Sequence, residues 1–180
     1  MNQSIFLTGT PQSIPDVLAA KDQRVVLQAQ LFNQNPKSTL LDIKLNIPGP
    51  IKNNHYLKQL FTTGCTNLEK NLKAQGFNYD LAASWDNPSG CENFYLLDAN
   101  AKDVKQVAIA FEDGNRLGRL FDADVLVKDQ DAALSRSKLG LPVRRCFLCN
   151  RPAKECARSR RHNVAELQNY ISNIYNEEFS

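Results

Sequence analysis

Two aspartates separated by one residue, Asp122 and Asp124, lie inside the run Leu117-Gly118-Arg119-Leu120-Phe121-Asp122-Ala123-Asp124-Val125-Leu126-Val127. The apolar residues around them read as a buried strand entered through a glycine-containing turn. Alternate strand side chains share a face, so the two carboxylates project together, about 6.6 Å apart along the strand. Like charges held that way near a core repel each other, and a cation between them removes the cost. The pattern therefore points to a magnesium site, of the kind that activates an attacking oxygen and stabilises a leaving diphosphate in phosphoryl or nucleotidyl transfer. Gly118 permits close backbone approach to a phosphate, and Arg119 offers a forked cationic donor. The competing reading is a strand-end turn with two solvated aspartates. Glu112, Asp113, Asp129 and Asp131 are the nearby candidates for a third carboxylate.

The next stretch is strongly basic. Arg136 to Arg161 holds nine basic residues (Arg136, Lys138, Arg144, Arg145, Arg151, Lys154, Arg158, Arg160, Arg161) and one acid, Glu155. That is a formal +8 in a chain of +3, which leaves −5 for the remainder. So steep an asymmetry marks a surface built for a polyanion: a phosphate-rich small molecule, a nucleic acid or an acidic protein. Leu139, Leu141, Val143, Phe147 and Leu148 argue against a free tail, because they can pin the segment to a folded body.

Cys146, Cys149, Cys156 and His162 fall in this stretch with the spacing C-x2-C-x6-C-x5-H. Three thiols and an imidazole make a tetrahedral zinc set, which would order a segment that lacks a large core. Two other readings stay open: reduced cysteines packed as small hydrophobes, or a redox thiol pair. His162 serves equally well as a phosphate contact beside Arg160 and Arg161. Upstream, Pro48-Gly49-Pro50-Ile51-Lys52 leads into a long helix. A helix N-terminus with Lys52 beside it can hold a phosphate, and the same residues also make a plain chain reversal.

The elements that must carry these groups follow from periodicity. Ser13 caps a helix from about Pro15 to Asn35, with Val17, Leu18, Val25, Leu27 and Leu31 on its apolar side. Leu41, Ile43, Leu45 and Ile47 alternate with Asp42, Lys44 and Asn46, a half-buried strand. A long amphipathic helix runs from Asn53 or Asn54 to Gln75. Strands are expected at 77–85 and 93–97, a short helix at 101–105, a further strand at 107–111, then the aspartate strand. Val164, Leu167, Ile171 and Ile174 mark a last helix. The expected fold is α+β: one domain spanning 1–180, with a mixed, largely antiparallel, palm-like sheet in a split βαβ layout. Helices pack that sheet, and a basic Cys-rich segment (136–162) precedes the final helix.

Bulk properties fit a globular domain: 180 residues, 42% hydrophobic and 23% charged. No apolar run reaches membrane-span length, and Met1 to Phe6 lacks the features of a signal peptide. Five cysteines, an odd number, argue against a secreted disulfide framework. A cytoplasmic location is expected.

Pro48 to Lys52, Leu117 to Val125, Pro142-Val143-Arg144-Arg145-Cys146-Phe147-Leu148-Cys149, and Cys156-Ala157-Arg158 with His162 occur in that order. In this the chain resembles the apo-citrate lyase phosphoribosyl-dephospho-CoA transferase family, over nearly its whole length. The resemblance implies transfer of a 2′-(5″-phosphoribosyl)-3′-dephospho-CoA group from its triphosphate precursor to a serine of the citrate lyase acyl carrier subunit, releasing diphosphate. Asp122, Asp124, Gly118, Arg119 and the Cys146–Cys149 segment fit the family pattern. Under that chemistry Asp122 and Asp124 hold Mg2+, and Arg119 with some of Arg144, Arg145, Arg158 and Arg160 neutralises the leaving diphosphate. The carrier is expected to be acidic, which suits a basic face. Other classes remain: a nucleotidyltransferase acting on another protein or on RNA, a nucleic-acid-binding module, or a non-catalytic lyase-assembly factor.

Overall fold

Strand alternation decides which side chains meet in this molecule. The computed structural model describes residues 4–180, so the first three residues of the Met1 to Phe6 stretch considered above lie outside the description. In β1 (Thr39–Leu45), Leu41 and Ile43 enter the main core, while Leu40 joins a second cluster on the opposite face. Asp42 and Lys44 share the parity of Leu40 and therefore its face. The other strands are β2 (Tyr79–Asn87), β3 (Gly90–Leu97) and β4 (Phe121–Leu126). They assemble in the order β2-β3-β1-β4, and every pairing is antiparallel, so the sheet expected to be mixed has no parallel pair among the described residues.

Helix α1 spans Ile14–Gln34, α2 His55–Ala74, α3 Ala101–Gly114, α4 Ala153–Ser159 and α5 Val164–Phe179. The central order β1-α2-β2-β3-α3-β4 is the split βαβ layout, with each crossover leaving room for an antiparallel strand between its two ends. Helices α2 and α3 cover one face. Asn54 caps α2 by accepting from the Leu57 amide, and Leu57, Leu60, Leu68 and Leu72 are fully buried at helical spacing. Each such leucine contributes about 1.5–3 kcal/mol, and Leu68→Ala would cost about 2–5 kcal/mol. Gly64 belongs to the same contact: an added Cβ would lie 2.0 Å from the Phe121 ring, so glycine lets β4 seat against α2.

Two further expectations fail. The strand expected at 107–111 is the second half of α3. Val107-Ala108-Ile109-Ala110-Phe111 is a short apolar run, which periodicity alone assigns poorly. Val104, Val107, Ala108 and Phe111 bury together at helical spacing. The aspartate strand is therefore the fourth strand of the sheet and not an addition to it. The second failure is α1. It is capped by Ser13 as expected, but Val17, Leu18 and Val25 are exposed. Only its C-terminal half packs: Leu27, Leu31 and Phe32 lie on Leu40, Phe94 and Leu126 across the second face of the sheet.

Candidate active site

Strand β4 is an edge strand, yet its backbone is not left open. On the residue between the two aspartates, Glu112 accepts from the Ala123 amide at 2.8 Å and Lys105 donates to the Ala123 carbonyl at 3.0 Å. Helix α3 thus closes the edge that would otherwise invite strand addition. Glu112 and Asp113 also bind Arg136. These contacts engage both acids along the α3 side of β4, so neither serves as the third carboxylate considered for the aspartate pair. Gly118 sits in the 3-10 turn Gly118–Leu120, buried, where an added Cβ would come within 2.1 Å of the Phe111 carbonyl oxygen. The close approach this glycine permits is to α3, and not to a phosphate.

Asp122 and Asp124 project from the sheet face that carries the second cluster, with 35% and 44% of their side chains exposed. In register, Asp124 is opposite Asp42 and Asp122 is opposite Lys44. Lys44 Nζ reaches Asp124 at 3.1 Å, and Arg144 pairs with Asp122. Burial works against the Lys44 ammonium, but the carboxylates of Asp124 and Asp42 outweigh it and raise its pKa. Further along the same face, Arg24 of α1 forks onto Glu92, and Gln28 donates to Asp42 Oδ2 at 2.8 Å. Asp42 is fully buried, and its Oδ1 has no hydrogen-bond partner among the described residues. Burial pushes its pKa up to about 8, with Lys44 opposing and Glu92 reinforcing.

This charged row was not foreseen. Asp42 and Lys44 read as the solvated side of a half-buried strand, because nothing in β1 announces the helix that covers them. The available signal was parity: Asp42 shares its strand face with Lys44, and pairing of β1 with β4 would carry both to the aspartates.

The basic segment forms the other half of the site. Arg145 bridges to Pro152, with the Cys146 amide on Arg151 O and the Ala153 amide on Arg144 O, both at 2.8 Å. This knuckle is bound to the sheet twice. Arg144 reaches back to Asp122 and the Arg119 carbonyl, while Arg119 donates to the carbonyls of Arg145 and Cys146. Phe147 stacks on Tyr170 of α5, ring centroids 5.0 Å apart. Between the knuckle, α4 and the start of α5 opens a cavity of about 610 Å³, lined by Arg144, Arg145, Arg160 and His162 over an apolar floor that includes Phe147 and Leu167.

Cys146, Cys149, Cys156 and His162 converge, as their spacing allowed: their ligand atoms all lie within 4.8 Å of one another. The Arg151 backbone amide, His162 and Cys156 together hold the Cys149 thiol down to about 6. Arg160 caps α4 in the left-handed region (φ 48°) and turns the chain so that His162 comes back over Cys149. Arg158 is exposed and does not line the cavity. Lys52 lies apart as well. Its ammonium donates to the Ile47 carbonyl at 2.6 Å, and Pro48-Gly49 packs on Gln168 and Val164 of α5.

Half-exposed carboxylates on the palm-like face of a sheet, with cations gathered at one end, are suited to moving a phosphorylated group from an anionic donor. That chemistry defines a class of transferases. Residues 12–178 match the family described as apo-citrate lyase phosphoribosyl-dephospho-CoA transferase. The chain is 32% identical over its whole length to a probable enzyme of that name from Streptococcus pyogenes serotype M18 (strain MGAS8232), 94% of which is covered. It is 34% identical over 92% of its length to one from Escherichia coli O1:K1 / APEC, with 89% of that protein covered. With one from Citrobacter koseri (strain ATCC BAA-895 / CDC 4225-83 / SGSC4696) it shares 36% identity over 86% of this chain and 84% of the other. The chain belongs to the apo-citrate lyase phosphoribosyl-dephospho-CoA transferase family. No helix among the described residues is long and apolar enough to cross a membrane.

Proposed function

We propose that the protein transfers the 2′-(5″-phosphoribosyl)-3′-dephospho-CoA group from its triphosphate precursor to a serine of the citrate lyase acyl carrier subunit. The observation that carries this reading is the placement of Asp122 and Asp124 on one open face, joined through Arg144 to an arginine-lined cavity. In the reaction a bond forms between the serine oxygen and the first phosphorus of the donor chain. The anhydride bond to the second phosphorus breaks, its electron pair leaves with diphosphate, and the serine proton passes to solvent.

Magnesium fits Asp122 and Asp124. Both are partly exposed oxygen donors, and the unpartnered Asp42 Oδ1 shares their face and faces Asp124 in register. Bound there, it would supply Lewis-acid polarisation of the hydroxyl and the phosphate oxygens. The protein's own groups do the rest. Arg144 stands between Asp122 and the cavity, where it can shift from the carboxylate to the departing diphosphate. Arg145 and Arg160 extend the cationic wall, and Phe147 and Leu167 offer surface to the less polar parts of the donor. Arg119 is a positioning residue, because its guanidinium is engaged in holding the knuckle backbone. Exposed Arg158, with Arg151 and Lys154, faces outward toward an acidic carrier. All five cysteines are free thiols, in keeping with a cytoplasmic setting.

The test follows diphosphate release from the triphosphate donor with Mg2+ and, separately, apo-carrier, an unrelated acidic protein or RNA. Release with apo-carrier alone is the expected result. Release with the other acceptors instead would assign a nucleotidyltransferase of another target. Salt-sensitive RNA binding without turnover would make the basic segment a nucleic-acid module, and carrier binding without release would leave an assembly factor.

A further inference from the structure

The segment from Val127 to Asn163 poses a physical problem: only Cys146 and Cys156 are buried within it. It has no apolar core of its own. Its one helix, α4, is seven residues long, well below the length at which an isolated helix persists in water. Within it, Arg136 to Arg161 concentrates a formal +8 of like charge. Burial cannot hold such a stretch in one conformation, yet the stretch forms the knuckle and two walls of the cavity.

We propose that Cys146, Cys149, Cys156 and His162 bind one structural Zn2+, and that this ion holds the knuckle, α4 and the entry to α5 together. The four ligands come from three separate places, joined otherwise by a few backbone hydrogen bonds: Cys146 and Cys149 from the knuckle, Cys156 from α4, His162 from the turn before α5. Tetrahedral zinc with sulfur and nitrogen ligands requires ligand atoms about 3.5–3.8 Å apart. Here Cys149 Sγ is 3.3 Å from both Cys156 Sγ and His162 Nε2, and the whole set lies within 4.8 Å. Four protein ligands close the coordination sphere, which makes the site structural and leaves no position for substrate. A disulfide would use two of the four groups and leave the other two without a reason to converge.

The charges balance in a way that favours the ion. The ion takes the three sulfurs as thiolates, the protons still on them passing to solvent, while the imidazole stays neutral. Three thiolates and one Zn2+ carry a net −1, which the surrounding basic residues offset. The consequence for the cavity is direct. Arg144 and Arg145 immediately precede Cys146, and Arg160 lies between two ligands, so the ion fixes the backbone that aims the cationic wall. That last consequence rests on the function proposed above, whereas the presence of zinc does not.

The test measures metal content of the full-length protein purified without chelator, together with limited trypsin digestion. About one zinc per chain is expected. Replacement by Co2+ should give the thiolate-to-metal absorption of a tetrahedral sulfur site. Cys149→Ser and Cys156→Ser should lose the metal, while His162→Cys should retain it. The main cores do not include Cys146 or Cys156, so the metal-free variants should keep the circular dichroism of the sheet domain while trypsin cuts after Lys154 and Arg158. A metal-free wild type with all thiols reduced and the segment resistant to trypsin would overturn the proposal in favour of packed cysteines. A Cys149–Cys156 disulfide in the freshly purified protein would overturn it in favour of a redox pair.

Discussion

The sheet domain and the basic Cys/His segment meet through a few polar contacts, chiefly Arg144 with Asp122 and Arg136 with Glu112 and Asp113, and they are built on opposite principles. In the sheet domain, positions are fixed by burial. Leu41, Ile43, Phe121 and Val125 are fully enclosed, and the carboxylates between them have no choice of face. In the basic segment almost nothing is buried, and position depends on a few polar anchors and four ligand-type side chains. The difference shows how a small protein can hold rigid chemistry beside an adaptable binding wall. In the function proposed above, carboxylates whose spacing matters ride on a packed strand, and cations that would meet a long anionic donor ride on a segment fastened at few points.

Substitutions can break that division. The largest effect is expected at the strand. Asp122→Asn or Asp124→Asn should lower kcat by about 100-fold or more, since replacing an anionic ligand by a neutral amide would weaken the proposed metal site and misplace the reacting groups. Folding stability should change by no more than about 1 kcal/mol, because both ion pairs are partly exposed. Steady-state kinetics at saturating Mg2+, with a urea titration alongside, checks both halves. Next in size comes Gly64→Ala, which drives a methyl into the Phe121 ring. It should cost about 1–3 kcal/mol of stability by overpacking. Unfolding midpoints measure it, and an unchanged midpoint would mean that β4 is not seated as tightly as the account requires.

Asp42 sharpens the comparison from inside the sheet. Its folded pKa is raised to about 8 by burial, against about 3.9 in an unfolded chain. Between those values the folded protein keeps a proton that the unfolded chain has released. This contribution therefore weakens as pH rises through the window. Asp42→Asn should gain about 1–3 kcal/mol near pH 8, the scale of a poorly partnered buried polar group. It should change little near pH 5, flattening the stability profile. Urea titrations at the two pH values decide it: an unaltered slope would show that Lys44 and Arg24 keep Asp42 ionised.

The smallest effects belong to the outer basic surface. Arg160→Ala, at the cavity wall, should raise donor KM several-fold, within the 1.4 kcal/mol that separates tenfold changes. Arg158→Ala should act mainly on the carrier and chiefly at low salt, since its charge is exposed and screened over about 8–10 Å. Kinetics across a salt series separates the two, and an Arg158 variant with an unchanged carrier KM and salt slope would reduce that residue to solvated surface.

Much of this was legible from residue order. The parity of Asp122 and Asp124, the helix caps at Ser13 and Asn54, the split βαβ layout and the convergence of Cys146, Cys149, Cys156 and His162 all depend on local spacing. What escaped depends on tertiary partners. The strand expected at 107–111 became helix because a five-residue apolar run carries no clear period until its neighbours pack on it. Asp42 looked solvated because its cover, α1, comes from a separate part of the chain and packs on the sheet only through its C-terminal half, with Arg24 and Gln28 reaching the charged row. Lys52 and Gly118 looked like phosphate ligands by residue type. Their geometry engages the first with the Ile47 carbonyl and the second with Phe111.

The central claim is that the aspartate pair on β4 drives transfer to the carrier. It is tested most directly by the intact mass of apo-carrier after incubation with donor and Mg2+, using wild-type protein and the Asp124→Asn variant side by side. The account predicts that the wild type adds one phosphoribosyl-dephospho-CoA group per carrier and that the variant, folded and monodisperse, leaves the carrier at its apo mass. A carrier modified equally by both proteins, or by neither under conditions where a related enzyme works, would contradict it.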